Sequence, residues 1–263
     1  MKRVLKHFFL FILLTLLTQV GGIVYILNLI VLHKLKLNFK FKKITSFLVL
    51  YILFTFIIVP ITAPLFGREP IIHSKKIQPV NYFTVIFNRN YVKPKINSLL
   101  LNVEKELAHT NIHINYLDAN FPFINAFPLL PHLSHNDGKK LDISFVYEDS
   151  KGVISSKQKS FSGYGVFEKP TKNELNQTEY CKAKGYIQYD FTKYLKLGHI
   201  NKHLKFSKKG TKKLVKAIID NQNIEKVFIE PHIKQRLQIN SSKIRYHGCK
   251  AVRHDDHIHI QMK

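Results

Sequence analysis

Two long runs without charge dominate the first quarter of the chain. Residues 8–32 give 25 consecutive uncharged positions and residues 44–67 give 24 more, each above the roughly 20 that an α-helix needs to cross a bilayer. Phe, Ile and Leu fall on all sides of a helical wheel in the second run, which leaves no water-facing stripe. The pattern predicts an N-terminal transmembrane helical hairpin over residues 1–67. A cleaved signal peptide suits the first run less well, because its apolar stretch exceeds the usual span of about 7–15 residues and no clear small-residue cleavage site follows. Five lysines lie between His33 and Lys43, against Lys2, Arg3 and Lys6 on the tail. That bias predicts a cytoplasmic loop with both ends of the hairpin outside.

After Gly67 the pattern changes to that of a globular domain. Residues 68–94, with Pro70, Pro79 and Pro94, read as a linker leading into a short strand near Phe83–Phe87. Ile96, Leu99, Leu100, Val103 and Leu107 recur at helical spacing, and Ile112–Leu117 alternates as a strand does. Residues 120–131 are rich in Phe and Pro and read as a packed loop. A strand from Leu141 to Tyr147 and a turn at 149–152 lead into residues 151–182, which carry few helix signals and read as a long insertion or hairpin. Tyr164, Tyr180, Tyr186 and Tyr189 lie on or near it, candidates for contact with a peptide. Leu214, Ala217, Ile218 and Ile219 predict a second helix over 210–221, with Lys212, Lys213 and Lys216 on its solvated face. Val227–Ile229 reads as a strand, and Pro231 suits the first turn of a third helix. Ile244–Tyr246 and Val252–Met262 complete the domain. The expected class is α+β, an antiparallel sheet with flanking helices over residues 95–263.

Charge alters this picture in one respect. The chain carries 41 Lys and Arg against 17 Asp and Glu. Residues 1–67 hold eight of the bases and no acid, leaving 33 − 17 = +16 for the remainder. Such a surface suits an anionic polymer weakly. Nucleic acid would suit it too, but tethering by two membrane helices argues against that partner. Oligomeric state is not legible. Of the two cysteines, Cys181 and Cys249, neither belongs to a CxxC pair, which excludes a cysteine-based metal site. A disulfide between them and two free thiols both stay open, while a nucleophilic Cys249 beside His254 is the less favoured alternative.

The chemistry concentrates in two short segments, Pro131–Ile143 and Arg253–Ile260. Zinc accepts imidazole nitrogen and carboxylate oxygen, and a catalytic zinc takes three protein ligands with one position left for water. His135, Asp142 and His259 supply such a set. Gly138 lies in the gap between the first two, where a sharp turn would lead into the strand that begins near Asp142. In the C-terminal segment, strand alternation places His257 and His259 on one face and Ile258 and Ile260 on the other.

The HxxHxxGxxxD pattern of His132, His135, Gly138 and Asp142, followed by the HxxHxH of His254, His257 and His259, resembles the penicillin-insensitive murein endopeptidases. These are grouped with the lysostaphin-type and D-Ala-D-Ala zinc peptidases. The likeness covers roughly residues 129–263, with a weaker echo over Glu225–Arg236. It implies the D-Ala-D-Ala metallopeptidase/hedgehog-like fold, zinc held by His135, Asp142 and His259, His257 as the non-ligand catalytic histidine, and His132 and His254 as further active-site histidines. Asp256 competes with His257 for the base, since it stands three residues before His259, but strand alternation points it away from the metal face. The implied activity is hydrolysis of peptide crosslinks in peptidoglycan by a zinc-activated water, which requires the domain to face the periplasm or cell exterior. The alternatives are a catalytically silent zinc-containing module that binds cell wall or a partner, and a membrane component in which the hairpin carries the function.

Overall fold

The computed structural model describes residues 1–35 and 40–263. Lys36 of the expected cytoplasmic loop lies outside them. The chain is mixed α+β and forms two compact units. One comprises Met1–Ile71, Phe83–Pro94 and Ala119–Gly138, and the other Ile72–Tyr82, Lys95–Asp118 and Lys139–Lys263.

The first unit begins with two helices, α1 (Lys2–Thr18) and α2 (Gly21–Leu35). The uncharged run expected to form one span is therefore broken. Gln19 adopts φ 65°, and the Gly21 amide donates to Thr18 Oγ1 at 2.8 Å. The glycines explain the fold-back: a Cβ on Gly21 would stand 2.7 Å from Thr18 Oγ1, and one on Gly22 2.8 Å from the Phe11 carbonyl. Farther along the pair, His7 Nδ1 and the Tyr25 hydroxyl are 2.6 Å apart. At 1.5 Å per residue α1 and α2 reach about 25 and 22 Å, short of a hydrocarbon core of about 30 Å. The helix α3 starts at Lys42 and runs, through a π turn at Phe54–Ile58, to Phe66. Its 25 residues make it the one helix among the described residues long and apolar enough to cross a membrane. Asn28 joins α2 to α3, donating to the Lys43 carbonyl and accepting from Ser46 Oγ.

Eleven short strands follow: β1 (Glu69–Pro70), β2 (Ile77–Pro79), β3 (Tyr91–Val92), β4 (Ile114–Tyr116), β5 (Lys140–Ser144), β6 (Tyr147–Glu148), β7 (Ile154–Ser155), β8 (Lys205–Phe206), β9 (Ile224–Phe228), β10 (Ile244–Arg245) and β11 (His257–Met262). Antiparallel β1 and β3 belong to the first unit. So does Phe83–Ile86, expected as a strand but helical. Its Phe-Thr-Val-Ile-Phe composition favours a strand, yet the Phe87 amide bonds to the Phe83 carbonyl and the two rings pack one turn apart. Residues 68–94, expected as a linker, thus carry regular structure.

The second unit is built on a six-stranded sheet of order β10-β9-β11-β5-β4-β2. Its centre is antiparallel, as expected, but both edge pairs are parallel. Parallel neighbours need a crossover. Here the crossovers carry the helices Pro94–Glu106, between β2 and β4, and Pro231–Leu237, between β9 and β10. The helix Lys208–Ile219 starts at an N-cap, Ser207, whose hydroxyl accepts from the Gly210 amide. It buries Leu214, Val215, Ala217, Ile218 and Ile219 and leaves Lys213 and Lys216 exposed. The strand expected over 141–147 ends at Ser144, and Tyr147 starts a separate three-stranded sheet, β7-β6-β8. Between β7 and the helix Gln177–Ala183 the chain is irregular, and Cys181 is joined to Cys249 by a disulfide. A free Cys249 nucleophile is thereby excluded.

Ile260 is fully buried in β11. Ile260→Ala is expected to cost about 2–5 kcal/mol in chemical denaturation. Reducing the disulfide, which closes a separation of 68 residues, is expected to cost about 2–5 kcal/mol in the same assay.

Candidate metal centre

Asp142 and His259 lie on neighbouring strands of the sheet. β5 and β11 pair antiparallel in a register that sets His259 opposite Asp142 and His257 opposite Ser144. The consequence is a contact between side chains 117 residues apart: His259 Nδ1 lies 2.8 Å from Asp142 Oδ1. The Asp142 backbone is fixed from the other side by Asp118, whose carbonyl accepts its amide at 2.9 Å. The second carboxylate oxygen, Oδ2, accepts from the Tyr164 hydroxyl at 2.8 Å. Burial, with Asp118 and Asp142 nearby, pushes the Tyr164 hydroxyl far above its ordinary pKa, so it stays a donor.

His257 is held by Asp256. Its Nδ1 is 2.5 Å from Asp256 Oδ1, and Asp256 Oδ2 accepts from the Gly165 amide at 2.6 Å. The other ring nitrogen, Nε2, lies 3.6 Å from Asp142 Oδ1. Burial opposes charging of this imidazole, but the carboxylates of Asp142 and Asp256 outweigh it and raise the pKa to about 9. Strand alternation points Asp256 away from the face that carries His257 and His259. Asp256, however, precedes β11, and it is its bond to His257 Nδ1 that assigns it a supporting place. His254 completes the sheet side, its ring centroid 5.0 Å from His257 and 5.6 Å from His259. Burial, and then the three neighbouring imidazoles, push its pKa well below the usual value. Its amide donates to Glu230 Oε1, whose partner oxygen accepts from Tyr189.

His135 lies in a loop of the first unit. His135 Nδ1 is 2.7 Å from the Ala119 carbonyl. That bond sets the proton on Nδ1 and the lone pair on Nε2, a common way of orienting a metal-binding imidazole. Arg68, buried, holds the same loop by donating to Phe121 O and Asn125 Oδ1. Gly138 has φ 78°, its amide donates to Asn120 Oδ1, and a Cβ there would stand 3.1 Å from Arg68 Nε. Glycine is therefore required where the loop turns toward β5. His132 belongs to this loop, its ring 5.8 Å from that of His135.

His135, Asp142 and His259 are buried, and each offers a ligand atom such that all three lie within 4.8 Å of one another. Tetrahedral zinc with bonds of about 2.0–2.1 Å holds its donors roughly 3.3 Å apart. Two imidazoles and a carboxylate at this spread suit a divalent cation.

Three neighbours were not singled out as part of this site from sequence. Tyr164 was expected at a cleft mouth and is instead buried against Asp142. Tyr189 is likewise buried, and of the four tyrosines Tyr180 is the more exposed. Exposed His247 stacks on Phe228 at 4.3 Å and lies 5.3 Å from His254; no spacing motif links it to the other histidines. Asp255 forms a bidentate pair with Arg253. The chain matches no family model, and it matches no curated protein.

The purified chain is expected to bind one divalent metal ion by equilibrium dialysis with metal analysis. Tyr164→Phe should weaken it by about 10–100-fold, and Asp142→Ala or His259→Ala by more.

Proposed function

We propose that this chain is a membrane-anchored zinc peptidase acting on peptide crosslinks of peptidoglycan. The convergence of His135, Asp142 and His259 beside the Asp256-His257 pair carries the reading. The HxxHxxGxxxD and HxxHxH patterns, which resemble murein endopeptidases, supply the substrate class.

In this reading His135 Nε2, an Asp142 oxygen and a His259 nitrogen hold the ion. A zinc ion bound there would supply Lewis acidity and lower the pKa of water toward about 7. Asp256 locks the tautomer and direction of His257, which with its raised pKa is charged near neutrality and donates a hydrogen bond to the developing oxyanion. His257 does this through Nε2, because Nδ1 is committed to Asp256. Tyr164 and Asp118 keep Asp142 in place. His254, kept neutral by burial among other imidazoles, orients the ring cluster, and His132 lines the loop side.

One long apolar helix supports a membrane location. α3 crosses the membrane, with the basic stretch before it in the cytoplasm and the zinc domain outside. Since α2 turns back along α1, Lys2, Arg3 and Lys6 share the cytoplasmic side with Lys34, Lys40, Lys42 and Lys43, in place of the tail outside that the lysine bias alone predicts. The Cys181–Cys249 disulfide suits an oxidising compartment.

Full-length protein in detergent is expected to release crosslinked muropeptides in a chelator-sensitive manner, followed by mass spectrometry. His257→Ala should lower kcat by about 10²–10⁴-fold with zinc content unchanged. Muropeptide binding without hydrolysis would favour a silent binding module, and retained turnover in His257→Ala would remove that residue from the mechanism.

A further inference from the structure

A second site lies in the helices, far in sequence from the metal ligands. A cleft of about 840 Å³ opens among α1, α2 and α3, and its lining changes character along every helix. On α1, Arg3 and Lys6 line it first, then Leu10 and Leu14, one and two turns on from Lys6. On α3, Lys42 and Lys43 give way after one turn to Phe47. On α2, read backwards from His33, the wall becomes Leu32 and Leu29. Residues at i and i+4 share a helix face, so the α1 and α3 walls run from a cationic end to an apolar interior, and the α2 wall from His33 to leucines. Arg3, Lys6, Lys42 and Lys43 all line this end of the cleft, and residues 1–67 contain no acid. The amide of Asn28, which also lines the cleft, is engaged by the Lys43 carbonyl and Ser46. The start of α3 adds the positive end of a 25-residue helix, with no acid in its first turn and no side-chain cap.

A gradient from fixed positive charge to hydrocarbon is complementary to an anionic phospholipid, phosphate at the mouth and acyl chain along the leucines. Basic pockets between membrane helices on the cytoplasmic side bind such headgroups. We propose that α1, α2 and α3 together hold one anionic phospholipid in this cleft. The proposal rests on the membrane reading given above. It also accounts for α1 and α2, which are too short to span alone: with the lipid between them and α3, they form its binding wall.

The test uses the full chain in nanodiscs of phosphatidylcholine with or without phosphatidylglycerol, purified into mild detergent, with retained lipid counted by mass spectrometry. One phosphatidylglycerol per chain is expected, retained in preference to phosphatidylcholine. The triple variant Arg3→Gln, Lys6→Gln, Lys43→Gln should weaken retention by about fivefold per charge, on the order of 100-fold in all. Lys2→Gln with Lys34→Gln, which removes two bases that do not line the cleft, should leave it unchanged. Leu14→Phe, which keeps the charge and narrows the apolar wall, should also weaken retention. Competition by millimolar inorganic phosphate as strong as that by phosphatidylglycerol would identify a free-phosphate site and overturn the lipid assignment. Equal retention of both lipids, or equal loss in the Lys2/Lys34 variant, would overturn it as well. Carbonate extraction of membranes separates the two readings. A carbonate-resistant chain without lipid preference loses only the lipid site, whereas release by carbonate ends the membrane reading with it.

Discussion

The register of one antiparallel strand pair, β5 against β11, determines what the rest of the domain can do. Because His259 stands opposite Asp142, a carboxylate and an imidazole meet across the centre of the sheet instead of facing opposite sides. A slip of β11 by one residue would turn His259 to the other face while Asp142 kept its own. Flanking strands β9 and β4 hold the register, and Ile258 and Ile260, both fully buried, make any slip costly. The site's precision thus derives from hydrophobic burial and not from the polar groups themselves.

That burial creates an electrostatic difficulty that the neighbouring residues answer. Asp142, Asp256, His254, His257 and His259 are all nearly inaccessible, and a buried polar group without partners is expensive. Each carboxylate accordingly accepts from defined donors: Asp142 from Tyr164 and Asp256 from the Gly165 amide, both also facing an imidazole. Asp255 is handled separately, by Arg253, which also meets Asp190. Two carboxylates adjacent in sequence therefore serve different ends. Asp255 anchors the C-terminal segment through an ion pair, and Asp256 orients the histidine nearest the candidate ligands.

Much of this was legible in the sequence because it depends on short-range periodicity. Alternation over His257–Ile260 and helical spacing over Leu214–Ile219 read directly. The grouping of His135, Asp142 and His259 read from residue chemistry together with the resemblance that their spacing carries. What escaped was of three kinds. Glycines inside an apolar run, Gly21 and Gly22, permit a close helix fold-back that hydropathy averages over. Phe83–Ile86 has the composition of a strand but is overruled by its local backbone bonds. Contacts made at long range, Tyr164 to Asp142 and His247 to Phe228, leave no spacing signature. The parallel edge strands belong with these, since a crossover is a property of topology and not of any one segment.

The central claim is that two imidazoles and one carboxylate grip a single ion with a position left for water. The zinc K-edge X-ray absorption spectrum of the metal-loaded full-length protein tests it most directly. The account predicts four light-atom neighbours at about 2.0–2.1 Å, two of them with imidazole multiple scattering, and loss of one imidazole in His259→Ala. A spectrum dominated by sulfur, or one that His259→Ala leaves unchanged, would contradict it.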